Sequence, residues 1–449
     1  MLLYNSLLKW YNKRPEDKFA TYENKFYSVT DIFFEVESVS IAMHDLKDKK
    51  NNRVILFLKN PIDIIISYLA CNKLNITPII INSDWGYDEI SNAINNIEVD
   101  FVLSDWDCSK VFKNKKIDQE VYFMEEILRS SKGCGIKPNF KNISNNIECI
   151  LFTSGTSGIP KAIELSSDNF LESTRIWEKE ITFNRDDNYV LCLPLHHISG
   201  LAIVYRALLN NFKITVLNSL NELLDIEANP SIISVVPAMI KSMFNNEELL
   251  QKMKSMRAII LGGEMMDKNI VHQCIKYNLK IFISYGLTET CSGICGYWVD
   301  SNSYIENSSG KAFDDVKISI DDNGNIIITS KTVMRGYLGQ PISNGRIETN
   351  DIGFLKNNHL FILGRSDNVI VSGGENIDIQ EVEMILISHP EIINVDLEVS
   401  NHKKWGQCII ANLVTNSHLT SEDFKKWCKL KMAPYKIPYK INISNKVTH

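Results

Sequence analysis

The sequence has no C-x-x-C pair, no apolar run near the ~18 residues of a membrane span and no excess of basic charge; each absence excludes a class of function. Ten cysteines are scattered along 449 residues, with Cys291 and Cys295 the closest two. A zinc site needs a second ligand pair at matching spacing, so these read as reduced thiols of a cytoplasmic protein. The apolar stretch Met1–Trp10 lacks a basic leader and a small-residue cleavage site, and is expected to be a helix of the folded domain. The net charge of -6, from 48 Lys+Arg against 54 Asp+Glu, gives no broad footprint for nucleic acid. An anionic ligand must then be held by a local site. Oligomeric state is not fixed by sequence, with a homodimer one option.

What is present is strand–helix alternation. Val54–Leu58, Thr77–Ile81, Val190–Leu193, Ile214–Leu217, Ile232–Val236, Ile259–Leu261 and Ile281–Ile283 read as buried strands, and Ile62–Leu74 as a helix between two of them. This predicts an α/β fold with parallel sheets covered by helices. After about residue 305 the texture becomes β-rich. Val316–Ile320 and Asn325–Thr329 flank Asp321-Asp322-Asn323-Gly324, a hairpin signal, and Leu360–Leu363 is a further strand. After Gly364 the pattern turns α+β. The expected organisation is a large domain over 1–364, with its small β unit at about 305–364, and a small C-terminal domain over 365–449. No internal repeat is visible, and Asn142–Asn146 reads as a loop.

The run Cys149–Phe152 feeds Thr153-Ser154-Gly155-Thr156-Ser157-Gly158-Ile159-Pro160-Lys161. Glycines let backbone N–H groups approach phosphate oxygens, hydroxyls add donors and the lysine adds charge. It is not the loop of P-loop NTPases, because Ala162 follows the lysine. Alone, such a loop is more often a surface linker, and the rest of the chain decides otherwise. Four further segments follow in order: Leu261-Gly262-Gly263-Glu264, Ser284-Tyr285-Gly286-Leu287-Thr288-Glu289-Thr290, Glu348-Thr349-Asn350-Asp351-Ile352-Gly353, and Gly364–Ile377 running on to Glu383. In the third of these five, Tyr285 can stack on a purine, Thr288 can donate to a phosphate and Glu289 can hold Mg²⁺, which prefers oxygen ligands.

Together the five segments resemble the acyl-adenylating superfamily of acyl-CoA synthetases, luciferases and peptide-synthetase adenylation domains. The resemblance implies an ATP- and Mg²⁺-dependent enzyme that converts a small carboxylic acid to an acyl-adenylate and transfers the acyl group to coenzyme A. It implies that Thr153–Gly158 and Lys161 cradle phosphates. Gly262, Gly263 and Glu264, with Tyr285 and Gly286, would border the adenine, and Asp351 and Arg365 would meet the ribose. Thr288, Glu289, Lys161 and His197 would carry catalysis, with Glu289 as metal ligand. Asp367 would be the hinge of a mobile C-terminal domain, and Gly373 and Gly374 would line the thiol's path. Asn350 stands where relatives have the glycine of Thr-Gly-Asp, and Asp378-Ile379-Gln380 where they often have a nearby proline. The superfamily also has a C-terminal Gly-Lys after a Lys-Ile-Pro segment. Here Lys436-Ile437-Pro438 is present and no Gly-Lys precedes His449, while Lys446 is outside any such motif. The expectation is a chain impaired in adenylation that still processes supplied acyl-adenylate.

The acid is suggested by Leu193-Pro194-Leu195-His196-His197-Ile198-Ser199-Gly200-Leu201, followed by Arg206, which resembles the o-succinylbenzoate–CoA ligases of menaquinone biosynthesis. If a helix starts near Ser199, Arg206 lies seven residues on, on the same face. A guanidinium in the acyl pocket holds a second carboxylate bidentately. Substrate contacts are then expected from His197, Ser199, Gly200 and Arg206. The alternatives are a surface Arg206 and a helix-capping His197, with His196 read as structural. Other functional readings are another aryl- or acyl-CoA ligase, a carrier-loading enzyme, and a non-catalytic nucleotide-binding relative.

Overall fold

The computed structural model describes residues 2–46, 51–94, 97–109, 120–130, 147–153, 160–226, 230–263, 266–366, 368–372, 375–402, 406–416 and 418–445. The chain forms two compact units. The first takes residues 1–318, 328–347 and 356–361; the second takes 319–327, 348–355 and 362–449. The β-rich stretch is therefore shared between them.

Two sheets build the first unit. In one, the parallel strands Cys149–Thr153, Thr77–Ile80, Arg53–Phe57, Phe101–Ser104 and Val121–Phe123 lie side by side. Lys161–Leu165 and then Gly336–Tyr337 extend the Cys149 edge in antiparallel pairing. In the other, Ile281–Leu287, Ala258–Leu261, Ile232–Val235, Asn188–Leu191, Lys213–Val216 and Lys18–Tyr22 form a parallel run. Ser292–Val299 and Lys25–Ser28 close it with antiparallel pairs. The continuous apolar strands are buried on both faces, as parallel sheets under helices require. The strand expected at Val190–Leu193 starts two residues earlier, because Asn188 and Tyr189 pair in register with Lys213 and Ile214. The N-terminal segment is the helix Leu2–Lys13, burying Leu3, Leu7 and Trp10.

The helices are bounded by their caps. Asn60 accepts from the N–H groups of Ile62 and Asp63 to start Pro61–Leu74, and Asn75 ends it in the left-handed conformation. Ser166 and Asn169 form a capping box at the head of Ser167–Ile181. The Asn169 amide also donates to the carbonyls of Lys331 and Val333, tying this helix to the segment that carries Tyr337. Ile198–Asn210 is buried along almost its whole length, consistent with an apolar run broken only by Ser199, Arg206 and its C-terminal Asn210.

In the second unit Asp321–Gly324 forms the expected turn, with Gly324 at φ 86°. A sheet of Glu375–Asp378, Val369–Ser372, Gly406–Thr415, Ile392–His402 and Lys440–Asn445 carries the helices Ile379–Ile387 and Ser421–Lys431. Its core includes Ile370, Val382, Leu386, Ile409 and Phe424. Among the described residues no helix is long and apolar enough to cross a membrane. None of the nine described cysteines forms a disulfide.

Candidate active site

The first cluster assembles at strand ends of the first unit. Thr153 and Lys161 face each other in antiparallel register at the two ends of the hydroxyl- and glycine-rich segment. Ser154, Gly155, Thr156, Ser157 and Gly158 lie outside the described residues. Lys161 is exposed, with Nζ 5.4 Å from the centroid of the Tyr337 ring. The Tyr337 hydroxyl donates to Glu289 Oε1 at 2.9 Å. Glu289 sits in the single helical turn Thr288–Thr290, directly after the strand carrying Tyr285 and Gly286. That turn is fixed by the Leu287 N–H donating to the Thr290 hydroxyl and by the Met334 N–H donating to the Glu289 carbonyl. Lys161, Glu289 and Thr153 are thus brought together, with Tyr337 as the link that sequence reasoning missed. Its signal was absent because Tyr337 lies 48 residues from Glu289.

Glycine is required here for close approach. A Cβ on Gly262 would lie 2.5 Å from the Ser284 carbonyl oxygen, and one on Gly286 only 2.2 Å from that of Ser292. Gly263 adopts φ 89°. Glu264 lies outside the described residues.

The second cluster lies on the helix Ile198–Asn210. His197 occupies its N-cap position but makes no side-chain cap bond, so the capping reading does not hold. Ser199 is half-buried. Gly200 is buried, and a Cβ there would lie 2.4 Å from the Pro194 carbonyl. The His196 and His197 rings meet at a tilt of 56° with centroids 4.4 Å apart. Desolvation lowers the pKa of both, that of His196 to about 4 with the His197 charge adding to it. Arg206 is 2% exposed, which removes the surface alternative. Its Nη2 donates to Ser292 Oγ at 3.0 Å and its guanidinium lies over the Trp177 ring, Cζ 4.4 Å from the centroid. Its Nε is buried without a partner. Desolvation pulls its pKa below the usual range, Tyr189 beside it acts in the opposite sense by charge and by hydrogen bond, and no carboxylate among the described residues pairs with it. Ser292 and Trp177 were not singled out from sequence. Neither residue type is distinctive, and only the fold brings them to Arg206.

In the second unit, Arg365 Nη1 donates to Asp351 Oδ1 at 3.3 Å. Asn350 and Asp351 lie within the strand Arg346–Lys356 rather than at a turn, so the missing glycine of Thr-Gly-Asp is tolerated. The Asn350 carbonyl accepts from the Ser366 N–H. Asp367, Gly373 and Gly374 lie outside the described residues.

The sequence pattern of the family described as AMP-binding enzyme matches residues 7–338. The chain belongs to the AMP-binding enzyme family. This AMP-binding enzyme is 26% identical, over 97% of its length and 92% of the relative's, to a 2-succinylbenzoate–CoA ligase of Bacillus velezensis. Its fold is similar to that of the o-succinylbenzoate CoA synthetase of Bacillus subtilis in complex with the acyl-adenylate intermediate OSB-AMP. That likeness has a TM-score of 0.88 and 24% identity, covering 99% of this chain and 95% of that one. The same synthetase in complex with ATP and magnesium ion gives a TM-score of 0.84 at 24% identity, covering 98% and 95%.

The residues present fit a nucleotide with its metal. Side-chain-free glycines stand where backbone must approach closely, a carboxylate oxygen donor is fixed at Glu289, and a cation stands at Lys161.

Proposed function

We propose that this AMP-binding enzyme is an AMP-forming acid–CoA ligase that activates o-succinylbenzoate and transfers it to coenzyme A in menaquinone biosynthesis, in the cytoplasm. The observation that carries the choice of acid is the buried Arg206 guanidinium, with an unpartnered Nε and no carboxylate paired with it among the described residues. An uncompensated buried charge costs several kcal/mol. A fatty-acid pocket gains nothing from it, whereas an acid with two carboxylates can have one activated and the other held by Arg206.

In the first half-reaction a substrate carboxylate oxygen attacks the α-phosphorus of ATP. The bond to the bridging oxygen breaks and pyrophosphate leaves. Negative charge grows on the phosphates, so catalysis is mainly positioning and electrostatic stabilisation. Lys161, Thr153, the loop Ser154–Gly158 and the Thr288 hydroxyl surround that charge. Glu289 would hold Mg²⁺, which supplies charge neutralisation on the phosphate oxygens when bound. Asp351 and Arg365 bind the ribose, while Tyr285, Gly286, Gly262, Gly263 and Glu264 border the adenine. His197, Ser199 and Gly200 line the acyl pocket. In the second half-reaction the coenzyme A thiolate attacks the acyl carbonyl and AMP leaves. Gly373 and Gly374 line the thiol's path, and Asp367 is the pivot between the two half-reactions.

The test is Arg206→Ala. It should raise KM for o-succinylbenzoate by about 100-fold, as expected for loss of a charged bidentate contact, and spare KM for ATP. Unchanged KM values for both would end the dicarboxylate reading. Preferential turnover of medium-chain acids by the parent enzyme would favour a fatty-acyl ligase instead.

A further inference from the structure

Arg206 is constrained by Trp177, Ser292 and Tyr189. The Trp177 indole covers one face of the guanidinium, and Ser292 Oγ accepts from one edge. The residues that deliver Ser292 there adopt unusual backbone: Cys291 at φ 52° and Ser292 at φ 97°. This is the region glycine favours, and a serine held there carries strain that glycine would relieve. The turn is held against that strain. The Cys291 N–H donates to the Thr288 carbonyl, and the Ser173 hydroxyl donates to the Cys291 carbonyl at 2.6 Å. Gly293 follows directly, so a second glycine at 292 would suit the backbone. Among the described residues the Ser292 side chain makes one hydrogen bond, and it is to Arg206.

We propose that Ser292 is a positioning residue for acid specificity: its hydroxyl aims the Arg206 guanidinium, stacked on Trp177, so that the free Nε edge meets the substrate's second carboxylate. The inference rests on the dicarboxylate reading of Arg206 given above. Ser292 is the third residue after Glu289, so a single short turn serves both the metal-binding carboxylate and the anchor for the acid.

The experiment compares Ser292→Gly, Ser292→Ala and Arg206→Met with the parent. The assays use o-succinylbenzoate and its two monocarboxylate analogues, 4-oxo-4-phenylbutanoate and 2-butanoylbenzoate. Thermal unfolding is measured alongside. Both serine variants should raise KM for the dicarboxylate about tenfold, the size of one hydrogen bond to a charged group. They should leave kcat, KM for ATP and KM for the analogue lacking the held carboxylate little changed. The glycine variant should melt at or above the parent and the alanine variant below the glycine variant, because only glycine relieves the backbone. A parental dicarboxylate KM in Ser292→Gly, or a KM that follows melting temperature rather than loss of the hydroxyl, would make Ser292 purely structural and overturn the proposal. A parental dicarboxylate KM in Arg206→Met would instead overturn the dicarboxylate reading, and this inference with it.

Discussion

Tyr205 and Arg206 are neighbours on one helix and meet opposite polar surroundings. The Tyr205 hydroxyl donates to the buried carboxylate of Glu148 at 2.7 Å and accepts from Tyr68. Glu148 also accepts from the Asn72 amide and the Ser167 hydroxyl, so its oxygens are satisfied on several sides. One position on, Arg206 meets only the neutral hydroxyls of Ser292 and Tyr189, keeps an orphaned Nε, and has no acid paired with it among the described residues. A buried charge that serves the fold is normally completed by its own partners. The buried charge left incomplete in the same helix is what the proposed carboxylate contact would complete. The difference separates the structural network from the site without reference to any ligand.

The largest expected effect breaks the pair apart by function. Arg206→Met replaces an uncompensated buried cation with an apolar chain of similar length. Melting temperature should hold or rise, while kcat/KM for o-succinylbenzoate falls by about 100-fold or more. Glu148→Ala should show the reverse. Stranding buried donors that shared one carboxylate should cost about 3 kcal/mol by denaturant titration, with KM for both substrates unchanged. A variant of Glu148 that altered acid KM at parental stability would dissolve the comparison.

Tyr337→Phe is expected to matter less. It removes the hydroxyl that holds Glu289 but keeps the ring beneath Lys161. A few-fold to about tenfold fall in kcat, with a higher Mg²⁺ concentration needed for half-maximal rate, is expected from one hydrogen bond to a carboxylate. The smallest effect is in pH. His196 is desolvated and its folded pKa is lowered to about 4, so below about pH 6.5 the unfolded chain binds a proton that the folded chain does not. Stability is therefore complete above about pH 6.5 and is lost as pH falls towards about 4, and His197 acts in the same sense. The urea midpoint measured across that range should fall less in His196→Phe than in the parent.

Much of the fold was legible because parallel strands buried on both faces leave short runs rich in isoleucine and valine, such as Ile232–Val235 and Ala258–Leu261. The need for glycine at particular strand ends was legible for a related reason. Backbone that must pass close to phosphate or to a neighbouring strand needs glycine at fixed offsets, as at Gly262 and Gly286. The surroundings of Arg206 were only half legible. Arg206 stood out as a cation in an apolar helix, but its burial depended on how Trp177, Tyr189 and the turn at Ser292 close around it. Tyr337 was invisible because its partner Glu289 and its neighbour Lys161 come from two other strand ends. The Glu148 network was invisible for the same reason, since it joins residues 72, 148, 167 and 205 through ordinary side chains.

The most direct measurement is mass spectrometry of the thioesters formed when the enzyme is given ATP, Mg²⁺, coenzyme A and an equimolar pool of o-succinylbenzoate, 4-oxo-4-phenylbutanoate, benzoate and medium-chain fatty acids. An unpaired guanidinium awaiting a second carboxylate predicts o-succinylbenzoyl-CoA as the dominant product. Dominance of a monocarboxylate thioester would contradict it.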